Sequence, residues 1–181
     1  TLETHVDSVP HIVASSEPET EQVCVRSCSA SDVDPLRAMA RSNHHNTRFS
    51  ADRHFSAEQC SALYERWIEA SCKGSADSVF VAESRIGLAG YITCHLEQQF
   101  DGKIGLLGVE ETARNLGIGR KLVSEALGWF AAHGARRIQV VTQGQNIAAQ
   151  RVYLRSGFLT KSVQLWYHRW FISNGRNSTD E

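Results

Sequence analysis

The chain carries almost no net charge: 19 Lys and Arg stand against 20 Asp and Glu, leaving −1 at pH 7. A field that weak does not neutralise a phosphate backbone, so nucleic acid is not an expected partner. Long apolar runs are missing as well. Ile104 to Val109 and Leu127 to Ala132 fall far below the ~20 residues that a bilayer-crossing helix needs, so neither a membrane span nor a membrane partner is expected. No basic segment followed by an apolar stretch opens the chain, which argues against a secretory signal and for the cytoplasm. Cysteine pairs at two-residue spacing are absent too: Cys24, Cys28, Cys60, Cys72 and Cys94 make no zinc or thioredoxin pattern and are expected as reduced, mostly buried thiols. His44 and His45 are adjacent instead of one helical turn apart, and the other histidines are scattered, so no metal is expected. There is no internal repeat.

What is present is ordinary globular composition. With 181 residues, 41% of them hydrophobic and 22% charged, one domain with a real core is expected. Residues 1–21 mix Ser, Thr, Glu and Pro and suggest a linker or the remnant of an N-terminal domain, ahead of a domain over 22–172 and a polar tail over 173–181. Val23 and Val25 alternate with polar neighbours as in a strand, and Ser31-Asp32 offers caps for a helix over Val33 to Ala40. The polar stretch Ser42 to Phe55 has no clean period and is a candidate functional loop. A capping-box pattern at Ser56 to Gln59 opens a second helix that Lys73-Gly74 closes. Three strands in a meander follow, Ser78 to Glu83, Leu88 to Leu96 and Lys103 to Val109, then a helix from about Gly117 to His133. A buried strand over Arg137 to Thr142, a helix opened by Asn146, and one or two final strands within Phe158 to Phe171 complete the pattern.

Arg114-Asn115-Leu116-Gly117-Ile118-Gly119 lies between a buried strand and a long amphipathic helix. Backbone N–H groups at such a helix start are free to bind an anion, and glycines let a pyrophosphate approach the backbone closely. Arg114 and Arg120 add positive charge. The third glycine of a dinucleotide fingerprint and the Gly-Lys-Ser/Thr of a nucleotide-triphosphate loop are both lacking, so neither of those sites is expected.

Strand, Arg-x-x-Gly-x-Gly and helix, followed by strand, Asn-x-x-Ala-x-x-x-Tyr and Gly-Phe, resembles the GNAT superfamily of N-acetyltransferases over about Val23 to Phe171. Thr47-Arg48-Phe49, Tyr64 with Trp67-Ile68, Ile104-Gly105-Leu106-Leu107 and the run Val152 to Gly157 are similar to acyltransferases of nucleotide-linked amino sugars, of the TDP-fucosamine type. The resemblance implies an α/β (α+β) fold: a mixed, mostly antiparallel central sheet, splayed between the fourth and fifth strands and flanked by helices. It also implies acetyl-CoA as co-substrate, its pantetheine arm in the splay, and direct transfer to an amine without a covalent enzyme intermediate. The cofactor-binding set it suggests is Leu107, Val109, Arg114, Asn115, Leu116, Gly117, Ile118, Gly119, Arg120, Asn146 and Ala149.

Moving an acetyl group from a thioester to an amine needs a neutral nucleophile, donors for the oxyanion and a proton for the departing sulfur. Tyr153 is two turns after Asn146 on the same helix, and a phenol of pKa ~10 can donate to a thiolate of pKa ~8.5. Packing of that ring on the sheet is the competing reading. The resemblance places the oxyanion donors on backbone N–H groups at the end of the strand over Ile104 to Val109. Glu110 and His95 are the candidate bases. Acceptor contacts are expected from Arg48, a natural partner for a sugar-nucleotide pyrophosphate, from Phe49, and from Asp52, His44 and Tyr64. The expected partner is therefore a small molecule, a nucleotide amino sugar of the dTDP-4-amino-4,6-dideoxygalactose type, with a homodimer left open. Another amine, or a non-catalytic acyl-CoA-binding module, are the alternatives.

Overall fold

A computed structural model gives the structure over residues 1–6, 23–44, 47–97 and 101–171. β1 (Leu2–His5) and β2 (Cys24–Ser27) precede α1 (Val33–Asn43) and α2 (Ala57–Ala70); β3 (Ser78–Ser84), β4 (Gly87–Glu97) and β5 (Asp101–Val109) form the meander. α3 (Ile118–Ala132), β6 (Arg137–Val140), α4 (Ile147–Arg155) and β7 (Leu159–Thr160) follow. The strands make one sheet in the order β2-β3-β4-β5-β6-β1-β7, antiparallel throughout except where β5 runs parallel to β6. The mixed, mostly antiparallel sheet with four α-helices is the expected architecture. No helix among the described residues is long and apolar enough to cross a membrane.

The sheet separates two apolar clusters because successive strand residues face opposite sides. Leu36, Met39, Tyr64 and Ile68 of α1 and α2 pack with Val79, Val81, Tyr91 and Leu106 on one side. Ile118, Leu122, Ala126 and Phe130 of α3 pack with Phe80, Ile92, Cys94, Ile104, Tyr153 and Phe158 on the other. A Cβ at Gly90 would lie 2.8 Å from the Gly108 carbonyl oxygen and 3.1 Å from Leu122, so the missing side chain is what lets the start of α3 sit directly on β4. Caps set the helix ends. Ser56 Oγ accepts from the Gln59 N–H at 3.1 Å while Gln59 Oε1 accepts from the Ser56 N–H at 2.8 Å, the reciprocal box that the sequence suggested. α1 and α2 are further tied by Arg37 to Glu65 and by Arg41 to Glu58 and Glu65.

β5 and β6 stay paired only as far as Ile104 opposite Val140. Beyond that point β5 continues to Val109 while Val141 is already 61% exposed, so the sheet splays where the family resemblance places the split. A register shift lies beside it, between Ile92 and Cys94. There Thr93 Oγ1 accepts the Leu106 N–H at 2.8 Å, which satisfies a backbone donor that the irregularity takes from the ladder.

Two expectations change at the chain ends. Residues 1–21, read as linker or remnant, contain β1, which is inserted between β6 and β7 with Leu2 and Thr4 buried. The final strands expected within Phe158 to Phe171 reduce to the two residues of β7, because the place beside β6 is taken by Leu2–His5. Thr4 Oγ1 donates to the Gly157 carbonyl at 2.9 Å and fixes that order. Most of the 1–21 segment and the expected tail over 173–181 lie outside the described residues. The five cysteines are free; Cys60 and Cys94 are buried, and the Sγ atoms of Cys28 and Cys72 are 3.7 Å apart.

The turn into α1 rests on Asp32, whose carboxylate accepts from Arg26 twice and from the Ser29 N–H and hydroxyl. The Arg26 guanidinium holds this carboxyl well below the usual carboxylate range. Asp32→Ala is expected to cost about 2–3 kcal/mol, less than for a sealed pair because Arg26 is partly solvated. A carboxyl depressed in the folded state stabilises above its unfolded pKa near 4, and that contribution fades as pH falls through and below that value. Thermal melts should show a deficit of about 4–12 °C for the variant at pH 7 that narrows below pH 4.

Candidate active site

α3 begins in an exposed turn with two left-handed residues, Asn115 at φ 66° and Gly117 at φ 77°. Gly117 is the N-cap and supplies no side-chain cap. The first intrahelical bond runs from the Lys121 N–H to the Gly117 carbonyl, so the N–H groups of Ile118, Gly119 and Arg120 have no intrahelical acceptor. Together they stand at the positive end of a four-turn helix, where such donors can take a diphosphate. A Cβ at Gly119 would be 3.4 Å from Val152, an ordinary contact, and Gly119 is buried where α3 packs against α4. Leu116, Arg114 and Arg120 are exposed around the turn. Arg114 also pairs with Glu111 at 3.6 Å and donates to Asn43 Oδ1 at 3.4 Å. Asn43 Nδ2 is a buried donor without a partner at the same place, a residue that the sequence reading passed over.

The splay, which starts at Ile104 and Val140, opens toward this turn. Leu107 and Val109 pack toward the α3 cluster, and among the described residues no strand covers Leu106 to Val109 on the β6 side. That edge can pair with an extended arm. Across it stands α4, opened by Asn146, whose Oδ1 accepts the Ala149 N–H at 3.1 Å. Asn146 is thus an N-cap, one of its two expected roles. Tyr153 is 3% exposed and packs on Phe158 with ring centroids 5.5 Å apart. Burial pushes its phenol up, and no hydrogen bond opposes the shift.

The two candidate bases are far apart. His95 pairs with Lys103 and Glu110 follows Val109, which pairs with Gly90; at ~3.3 Å per residue the intervening strand separates them by roughly 20 Å. Glu110 donates its N–H to Ala89 and lines a shallow cleft with Pro35, Met39 and Ser42, at the phosphate end of the splay. His95 lies over Gly105, where a Cβ would be 2.6 Å from its Nε2, at the point where β5 and β6 part. Burial lowers the His95 pKa, partly offset by Asp77, so the ring is neutral near pH 7 and able to accept a proton.

The acceptor candidates fall into two linked groups. His44 stacks on Tyr64 at 4.3 Å, and its Nε2 is 2.7 Å from the hydroxyl of Tyr91, a buried residue that the sequence reading did not single out. Gly108 of β5 faces that ring: a Cβ there would be 2.5 Å from it. Thr47, buried beside Tyr64, leads into a compact turn in which the Ala51, Asp52 and Phe55 N–H groups bond back to Thr47, Phe49 and Asp52. The Arg48 guanidinium is 4.8 Å from the centres of both the Phe49 and Trp166 rings and makes no ion pair with a carboxylate among the described residues. His168 and Trp170 meet Asp52. The Trp-x-His-x-Trp spacing over 166–170 was the sequence signal for this contact, but alternation alone does not say what a strand-like segment touches.

The model of the acetyltransferase (GNAT) family matches residues 41–158. The chain is similar to dTDP-fucosamine acetyltransferase of Escherichia coli O6:H1, 29% identical over 140 residues that cover 76% of this chain and 59% of that protein. It is also similar to the spore coat polysaccharide biosynthesis protein SpsD of Bacillus subtilis, 23% identical over 139 residues, 77% of this chain and 48% of that protein. The chain thus spans about half to three fifths of the length of these relatives. Among solved structures, an N-acetyltransferase PaiA from Thermoplasma acidophilum in complex with coenzyme A superposes with a TM-score of 0.67 at 17% identity, over 79% of this chain and 93% of that one.

Proposed function

Because the chain belongs to the acetyltransferase (GNAT) family, we propose that it transfers the acetyl group of acetyl-CoA directly to the amine of a nucleotide-linked amino sugar, of the dTDP-4-amino-4,6-dideoxygalactose type. The thioester is the acetyl donor when the co-substrate is bound. The donors at the start of α3 take its diphosphate, and the uncovered edge Leu106 to Val109 takes its arm. His95, at the point where β5 and β6 part, draws the proton from the attacking amine, directly or through a water. Glu110 is the weaker candidate because a carboxylate beside the phosphate end opposes the anion. Tyr153 donates a hydrogen bond or its proton to the departing sulfur, a transfer that works against the burial-raised phenol pKa.

The observation that carries the acceptor assignment is Arg48, an exposed guanidinium framed by two rings and joined through Thr47, Tyr64, His44 and Tyr91 to the β5 edge at Gly108. A cation held in that way suits a sugar-nucleotide pyrophosphate. The similarity to dTDP-fucosamine acetyltransferase and to a polysaccharide biosynthesis protein supports the same substrate class.

Incubation with acetyl-CoA and a panel of TDP- and UDP-linked amino sugars, with mass detection of acetylated product, tests the reading. Acetylation of polyamines or aminoglycosides in preference to every sugar nucleotide would overturn it. Arg48→Ala is expected to raise KM for the sugar nucleotide about 10- to 30-fold, the loss of one charge-assisted contact, with KM for acetyl-CoA little changed. Equal effects on both substrates would remove Arg48 from the acceptor site.

A further inference from the structure

Beyond β7 the chain leaves the sheet and reaches the turn between α1 and α2, and its alternate residues divide. Leu165, Tyr167 and Phe171 are 77%, 84% and 81% exposed, whereas Trp166, His168 and Trp170 meet the turn. One carboxylate holds the junction together. Asp52 accepts from Trp170 Nε1 at 3.0 Å, from His168 Nδ1, and from the backbone and ring nitrogens of His54 at 3.0 Å each. Its side chain is only 13% exposed. Four bonds match the roughly four acceptor sites of a carboxylate, so Asp52 has no capacity left for an acceptor molecule. Trp170 is secured further by stacking on His54 and an edge contact with Phe55.

We propose that Asp52 is a positioning residue that fastens residues 166–170 as the second wall of the acceptor site, where Trp166 and Arg48 bind the base and the phosphates of a nucleoside diphosphate. The proposal rests on the nucleotide-sugar reading above and adds the residues that recognise the nucleotide. A guanidinium lying against aromatic rings keeps its N–H edges for phosphate oxygens, and the ring contact helps to fix its orientation. Trp166 is 65% exposed and leaves ring surface for a planar base. A wall tied down before binding removes the ordering cost that a loose segment would incur. Charge decides against a polyamine here, since Arg48, Arg53 and Arg169 are all exposed on the two segments.

Two readouts that need no acetyl transfer test the proposal. Thymidine diphosphate should quench the tryptophan emission of the wild-type protein, and Trp166→Ala should abolish the quench. Asp52→Ala should raise the Kd of thymidine diphosphate about tenfold or more while the Kd of coenzyme A, the control for intact folding, stays within about twofold. Residues 166–170 carry their own protease site at Arg169, and loss of the anchor should speed tryptic cleavage there about fivefold or more. Unchanged cleavage in Asp52→Ala overturns the anchor. Faster cleavage with unchanged or absent nucleotide binding overturns the recognition role. Failure of the wider functional reading looks different: thymidine diphosphate binds as described, yet no nucleotide-linked amine in the panel is acetylated.

Discussion

Tyr153→Phe is expected to lower kcat about 100- to 1000-fold while leaving the affinity for coenzyme A within about twofold. The substitution keeps the ring that packs on Phe158 in the α3 cluster and removes only the oxygen, so the loss reports chemistry and not folding. The pH profile separates the partners. Burial raises the Tyr153 pKa and lowers that of His95. Tyr153 therefore stays protonated and contributes no alkaline limb between about pH 6 and 9, while the acid limb set by His95 lies below its unperturbed value near 6.5. A Phe variant with unchanged kcat under saturating acetyl-CoA would show that another group protonates the sulfur.

Gly117→Val should raise KM for acetyl-CoA roughly 30- to 150-fold, whereas Gly117→Asn should stay within about threefold, because Asn tolerates the left-handed conformation and a β-branched residue does not. A Cβ at Gly117 meets nothing within 4 Å, so packing does not explain the glycine. What requires it is φ of 77°, next to a second left-handed residue at Asn115. A strain of about 2–3 kcal/mol is relieved in the free protein if the turn relaxes, and it returns as lost affinity when the diphosphate needs the turn restored. Steady-state kinetics in both substrates reads the difference. Equal KM values for the Val and Asn variants would mean that the turn does not shape a phosphate site.

The core of the fold was legible because its signals are local. Alternation marked the strands of the meander, the Ser56 and Gln59 box marked the start of α2, and Gly117 and Gly134 bracket α3 within two residues. The turn into α3 was legible for the same reason: it is a short run whose glycine requirement follows from its own backbone. The acceptor side was legible only as a polar loop with candidates. Arg48 and Phe49 could be named, but Trp166, which the Arg48 guanidinium faces, is more than a hundred residues away. Asp52 could be named too, without any sign that His168 and Trp170 occupy it.

By itself, then, the sequence determined the element types from β2 through α4 and the glycine turn into α3, set by period and caps within one or two turns of chain, while the split edge of the sheet was implied by the family resemblance. Tertiary structure alone decided the order of the last strands and the contact of residues 166–170 with the turn between α1 and α2. Leu2–His5 and Phe158 onward compete for the same sheet edge with similar alternation. Which one pairs with β6, and where the displaced segment then binds, depends on burying Leu2 and Thr4 and on satisfying one carboxylate across the molecule, energies that no local spacing encodes.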